Sequence, residues 1–222
     1  MLSENFSEAA KDYAYLIRRG FNESNSRKLV GDHYALSGEE RSALFRGIMK
    51  AEIAAKRRLR LLNEGNIQNQ SLHVDALNVI YTLAAYLNGK LLFISGDSLL
   101  RDAAEYHGKR IRKDVLQQCT GLLFEYLTSK QPGRTDFFLD RPVHNSAVIQ
   151  DILHEEINSS GIPGETATFD SADEVLRLMK TGIICSSNSG LIDQSTLPVF
   201  DLAAAVLNHH FKPQFPDFRN YL

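Results

Sequence analysis

From residue 72 onward, short apolar runs alternate with stretches of helical periodicity, and this alternation limits the possible folds more than any other feature. The runs are LHV (72–74), KLLFIS (90–95), TDFFL (135–139), ETATF (165–169) and GIICSS (182–187). Near-continuous apolar runs belong to strands covered on both faces, and strands separated by helices pair in parallel. Between them VLQQCTGLLFEYL, SAVIQDILHEEI and SADEVLRLMK repeat apolar side chains at helical spacing. Asp114 suits a cap for the first, Ser146 the start of the second, and Ser171 with Glu174 a capping box for the third. A last helix, FDLAAAVLNHHF, comes after Pro198. The expectation is an α/β domain over residues 70–222 with a mostly parallel sheet between helical layers.

The first sixty residues read differently. Ser7 suits the cap of a helix carrying Tyr13, Leu16 and Ile17, closed by Gly20; Ser24 opens a second helix; Ser37 and Glu40 form a capping box for a third. The third can run on through KAEIAAKRRLRLL, whose Lys56, Arg57, Arg58 and Arg60 make a basic end. Residues 1–60 hold twelve basic and eight acidic side chains, the remainder thirteen and nineteen. A basic helical region over 1–65 fits either a helix-turn-helix unit or a helical cap on the main domain. The polar stretch NEGNIQNQS (63–71) separates these helices from the α/β domain.

With 43% apolar and 23% charged residues in 222, the chain is neither disordered nor fibrous. No apolar run approaches the ~20 residues of a membrane span. The first residues, MLSENFSEAAKDYAY, lack the basic-then-apolar layout of an export signal. Cys119 and Cys185 form no ligand pair. These features predict a cytoplasmic protein with reduced thiols, no membrane partner and no cysteine-based zinc site. Nucleophile elbows and phosphate loops are absent: neither GxSxG, GxxxxGK[ST] nor GxGxxG occurs.

The chemistry is carried by residues just past the apolar runs: Asp75 after LHV, Asp97 after LLFISG, Asp140 after FFL and Asp170 after TATF. Ser187 and Asn188 come after IIC, with Asp193 five residues beyond Asn188. In an open parallel sheet, carboxyl ends of strands share one edge, where ligands bind. Carboxylates gathered there repel one another unless a cation joins them, and hard oxygen donors favour Mg²⁺ or Mn²⁺. Such a site suits phosphodiester hydrolysis. The competing role for each aspartate is to cap the next helix, which is the expectation for Asp170.

The segment VDALNVI (74–80) resembles the opening strand of NYN and PIN-type nucleases. Over nearly the whole chain, RRGFNESNSRKLVGDHYALSGEERSALFRGI, VDALNVI, LLFISGDSLLRDAAEYHG, FFLDRPVHNSAVI and SSNSGLIDQSTLPVFDLA resemble a two-part family, domain of unknown function 434 followed by domain of unknown function 5616. The two-part resemblance implies a helical region ahead of a PIN-like, Rossmann-like three-layer domain, and the resemblance to NYN and PIN-type nucleases implies cleavage of RNA with Mg²⁺ or Mn²⁺. It implies Asp75 and Asp140 as catalytic metal ligands and Asn78 as the accompanying asparagine. Ser187, Asn188 and Ser189 stand where such domains carry closely spaced aspartates, leaving Asp193, with Asp97 or Asp102 to supply missing charge.

Arg101 is a candidate phosphate contact or a partner for Asp102, and Asn188 is a candidate nucleic-acid contact. Lys109, Arg110 and Arg112, beside Tyr106 and His107, form a basic run along which a phosphate backbone can lie, or an ordinary solvated loop. His73 and His144 lie close to Asp75 and Asp140 in sequence; for His73 a hydrogen-bonded core role is expected. Two functions remain open: a metal-dependent ribonuclease, and a nucleic-acid-binding or regulatory module with a degenerate site. A homo-oligomer is compatible with either.

Overall fold

The computed structural model describes residues 2–103, 111–143 and 145–221. Four helices come first: α1 (Phe6–Arg18), α2 (Glu23–His33), α3 (Gly38–Gly47) and α4 (Ala51–Arg58). Next are β1 (Ser71–Asp75), α5 (Ala76–Leu87) and two short strands, β2 (Leu92–Ile94) and β3 (Leu100–Asp102). Alternation then resumes with α6 (Lys113–Lys130), β4 (Arg134–Asp140), α7 (Ser146–Ser160), β5 (Thr166–Phe169), α8 (Ala172–Leu176), β6 (Ile183–Cys185), α9 (Ser189–Gln194) and α10 (Leu202–His210).

The chain divides into two units. One comprises residues 60–87 and 106–213, the other residues 1–59, 88–105 and 214–222.

The α/β unit is built on a four-stranded sheet in the order β5-β4-β1-β6, with every ladder parallel. Adjacent residues of β4 point to opposite faces, and each finds an aromatic or helical cover. Phe137 stacks on Phe124 of α6 at 5.6 Å between centroids, whereas Phe138 packs with Phe169, Ala172, Leu176 and Leu191. Both faces are therefore covered, which explains the near-continuous apolar strands. Helix α5 starts directly after β1 and is buried along most of its length, from Ala76 and Leu77 to Ala84 and Ala85. Successive connections step from β1 to β4 to β5, then cross to the far side of β1 to lay down β6. That reversal between β1 and β6 is the switch point at which open α/β sheets bind ligands.

The helical unit buries Phe6, Ala10, Tyr13, Ile17, Val30, Leu44 and Ile48 in a common core. Helix α1 begins after Asn5 rather than Ser7, and α2 after Asn22, whose side chain accepts from the Asn25 amide at 3.0 Å. The capping box of α3 forms as expected: Ser37 Oγ accepts from Glu40 N, and Glu40 Oε2 accepts from Ser37 N at 2.9 Å. Glu40 Oε1 also accepts from Ser3 N at 2.7 Å. Burial opposes ionisation of Glu40, yet these hydrogen bonds hold its carboxyl down at about 2. Helix α3 stops at Gly47 instead of continuing, and a Cβ at that glycine would lie 2.3 Å from Phe218 Cδ2 and 2.8 Å from Phe93 Cε2.

Two stretches expected in the α/β domain belong to the helical unit. The KLLFIS run does not join the parallel sheet; its centre is β2, paired antiparallel with β3. The segment around Phe218 adds to β2, with Ile94 N donating to Pro216 O and Phe218 N to Ile94 O, each at 2.8 Å. Phe93 and Phe218 stack at 4.7 Å within the helical core. The α/β unit begins at residue 60, and residues 88–105 and 214–222 return to the helical unit.

Candidate active site

Asp75 is the last residue of β1 and is buried. Its register partner in β4 is Phe138, so its side chain leaves the sheet on the face covered by α8 and α9. Ser186, just past β6, donates its hydroxyl to Asp75 Oδ2 at 2.8 Å, and the Asn78 amide donates to Oδ1 at 3.3 Å. Asn78 Oδ1 in turn accepts from Ser187 N at 2.8 Å and from Ser187 Oγ at 3.2 Å. The first turn of α5 is thus tied to the loop after β6, and Asn78 positions that loop.

The loop also reaches α8. Asn188 Nδ2 donates to Asp173 Oδ2 at 2.7 Å, while Asn188 Oδ1 caps α9 by accepting from Gly190 N at 2.9 Å. Asn188 N donates to Ser186 Oγ at 3.0 Å, completing a chain of contacts from Asp173 through Asn188 and Ser186 to Asp75. Asp140, at the end of β4, accepts from Ala172 N at 2.7 Å through Oδ1; among the described residues nothing donates to its Oδ2. Its helix-capping role is therefore real but uses one oxygen.

Burial pushes the Asp75 carboxyl up first, and the Asp173 carboxylate adds to it. The Ser186 and Asn78 hydrogen bonds pull it back, Asp140 pushes it up again, and the result is about 7. Like charges near a desolvated acid have this effect, and it marks a group able to take or release a proton near neutral pH.

Sequence reasoning misses Asp173. In the sequence it is one more acidic residue in the first turn of a capped helix, and its convergence on Asp75 arises only from α8 packing beside β1 and β4. Asp170, expected to cap that helix, instead pairs with Arg141 at 2.9 Å, and Ser171 is the cap.

The remaining expected ligands are placed elsewhere. Asp97 lies in the helical unit with both oxygens bound by guanidinium groups: Arg101 Nη1 and Nη2 at 2.8 Å each, and Arg57 Nη1 at 2.8 Å. Burial alone would raise its pKa, but Arg101, Ser95 and Arg57 hold it well below the usual carboxylate range. It is an ion-pair centre within the helical unit. Arg101, 2% exposed, is consumed by this pair and is no phosphate contact; Asp102 pairs with Arg46 at 3.2 Å. Asp193 lies on the exposed side of α9, near the end opposite its cap. Arg112 is exposed at the start of α6 and pairs with Asp114. Lys109, Arg110, Tyr106, His107 and His144 lie outside the described residues. His73 contacts the Thr181 carbonyl at 2.9 Å and the edge of Phe138, a structural role.

Of Lys56, Arg57, Arg58 and Arg60, the three arginines have internal partners. Arg57 serves Asp97, Arg58 Nη1 donates to Gly96 O at 2.8 Å, and Arg60 donates to the carbonyls of Ile192 and Ser195 at the end of α9. Cationic groups there satisfy carbonyls left over at the helix terminus. The two thiols are buried, which pushes Cys119 up to about 12 and Cys185 higher still, so neither is a nucleophile.

Among the described residues, no three His, Cys, Asp or Glu side chains close into a metal-binding cage. The donor set still fits a hard divalent ion, because Mg²⁺ retains several waters and takes only one or two protein carboxylates. The carboxylates at this edge that could hold such an ion are Asp75 and Asp140, with Asp173 adding negative charge.

The fold and this edge coincide with a family model. Residues 64–205 match the domain of unknown function DUF5616, and residues 5–60 match the protein of unknown function DUF434. The chain belongs to the DUF5616 family. The DUF5616 match spans β1 to α10 and includes Asp75, Asn78, Asp140, Asp173 and Ser186 to Asn188. The chain is also similar to the uncharacterized protein MJ0935 of Methanocaldococcus jannaschii, with 25% identity over 208 residues that cover 92% of this chain and 98% of the relative. No solved structure matches it. No helix among the described residues is long and apolar enough to cross a membrane.

Proposed function

We propose that the α/β unit is a PIN-like, divalent-metal-dependent nuclease acting on RNA. The observation that carries this reading is Asp75: a buried carboxyl poised near pH 7 at the sheet's switch point, with Asp173 and Asp140 bearing on it. Carboxyls whose pKa is raised in this way cluster at functional sites, where a group able to accept a proton near neutral pH is used.

Asp75 and Asp140 would hold Mg²⁺ or Mn²⁺, which would supply charge to counter phosphate and activate water for hydrolysis. Ser186 fixes one oxygen of Asp75 and the Asn78 backbone amide the other. Asn78 and Asn188 lock the β6 loop, and Asn188 holds the Asp173 carboxylate to it. Asp173 keeps Asp75 basic enough to accept a proton.

The second reading, a nucleic-acid-binding module without cleavage, draws on Asn188, which stands in the β6 loop where the resemblance calls for carboxylates. Labelled single-stranded RNA incubated with Mn²⁺ separates the two. Cutting that disappears in Asp75→Asn and with EDTA supports the nuclease. Retention of intact RNA under all conditions supports the binding module.

A further inference from the structure

We propose that the exposed face shared by α1 and α2 of the helical unit is a docking surface for a second copy of this chain, arranged as a two-fold dimer. The two helices pack together and leave an open cavity of about 290 Å³ between them. Leu16 and Val30 are among its more buried lining residues. Tyr15 on one helix and Leu29 on the other stand out, 55% and 62% exposed. Phe21, 59% exposed, extends this apolar surface. Helix α1 ends at a left-handed Gly20 (φ 86°), with Phe21 N donating to Leu16 O and Gly20 N to Ile17 O, each at 3.1 Å. That ending turns the residue after the glycine back onto the last turn of its helix, here at Leu16.

A lone exposed leucine is ordinary, whereas several large apolar side chains grouped around a groove mark an interaction site. A two-fold contact requires a patch that fits itself, with both projections and a recess. This one has both: Tyr15 and Leu29 project from either side of a cavity roomy enough for a side chain of their kind.

Charge selects the occupant. Along the outer side of α1, Glu8, Asp12, Tyr15 and Arg19 follow one another at spacings of three or four residues, so they share a face. The apolar patch therefore has an acidic end and a basic end. Glu8 is balanced by Lys11 at 2.6 Å, which leaves Asp12, held from its own side by the Tyr34 hydroxyl at 2.7 Å, as the acidic group of the groove. Arg19 is exposed and has no ion-pair partner among the described residues. A two-fold axis through the middle of the patch sets α1 of the two copies in opposite directions. Arg19 of each copy then faces the partner's Asp12, and the favourable contact is made twice. A single-stranded nucleic acid also stacks on exposed rings, but Asp12 lines the groove itself and repels phosphate. The proposal is independent of the nuclease reading.

The test measures the mass of the full-length protein by light scattering and sedimentation across a concentration series. A dimer is expected. Leu29→Glu, Arg19→Glu and Asp12→Arg should each raise its dissociation constant by about tenfold or more. Combining Arg19→Glu with Asp12→Arg should recover the dimer, because the exchanged charges again face their opposites. Tyr34→Phe removes the same internal bond as Asp12→Arg, yet should leave the dimer intact. Circular dichroism checks folding, and Arg19→Glu, on the surface just past the end of α1, supplies the result if another variant does not fold. A protein that is monomeric throughout the series overturns the proposal. So does a dimer indifferent to these variants, or a double variant that does not regain it. A monomer whose binding of single-stranded RNA is lost in Leu29→Glu assigns the face to nucleic acid and overturns it likewise. RNA cutting is scored separately, so failure of the dimer and failure of the nuclease reading are distinct results.

Discussion

Ser186 and Asp75 lie 111 residues apart in sequence and are joined by a 2.8 Å hydrogen bond between the ends of two neighbouring parallel strands. That bond holds a carboxyl that burial and the Asp173 charge would otherwise leave without a fixed orientation.

Stability should fall as pH rises through the range in which Asp75 titrates. Its folded pKa of about 7 is above its ordinary value of 3.8, so the folded chain binds the proton more tightly. The resulting stabilisation is complete below about pH 4 and is lost as pH approaches 7, amounting to something on the order of 4 kcal/mol. Asp75→Asn should flatten urea melts across this window and be more stable than the parent at pH 8. Parallel decline of the two proteins would show that Asp75 is not the titrating group. Mn²⁺ should restore stability to the parent at pH 8 and leave Asp75→Asn unaffected.

Asp173→Asn should move the Asp75 titration to lower pH, because it removes the largest carboxylate contribution to the raised value. Carbon-detected NMR of the Asp75 carboxyl reads this directly. An unchanged midpoint would mean that burial alone sets it.

Asp97→Asn should destabilise the helical unit by about 3–5 kcal/mol, since Arg57 and Arg101 are then left buried without their counter-ion. Mn²⁺-dependent behaviour of the α/β unit should be unaffected. Loss of Mn²⁺ binding in a variant that remains folded would restore Asp97 to the metal site.

Gly47→Ala should cost about 1–3 kcal/mol through overpacking against two stacked rings. Hydrogen exchange should report the loss in α1 and α3 before it appears in β1 or β4. Adding Phe218→Leu, which gives the new methyl room, should recover part of the loss.

Much of the α/β architecture could be read from the sequence because apolar continuity and helix caps are local signals. LHV, TDFFL, ETATF and GIICSS each became a strand of the parallel sheet, and Ser37 with Glu40 formed its capping box. KLLFIS carries the same local signal, but its partners, β3 and the Phe218 segment, decide its sheet and are invisible to periodicity. Asp75 and Asp140 could be picked out because each directly ends a strand. Asp97 also comes soon after an apolar run, and only the approach of Arg57, 40 residues away, reveals its different role. Asp173 is hidden for the opposite reason: its position in a helix suggests capping, and three-dimensional packing brings its charge to Asp75.

The helical core closes around Phe218, which lies more than a hundred residues beyond β3 in the chain. During synthesis α1 to α4 must therefore wait, with Phe93 uncovered, until the α/β unit has been made and residues 214–221 have emerged. A fragment cut after residue 60 or 103 retains its helices' sequences but lacks the ring that fills their centre, so it should be aggregation-prone. Grafting residues 214–221 through a short linker onto such a fragment is the shortest route to an independently folding helical unit.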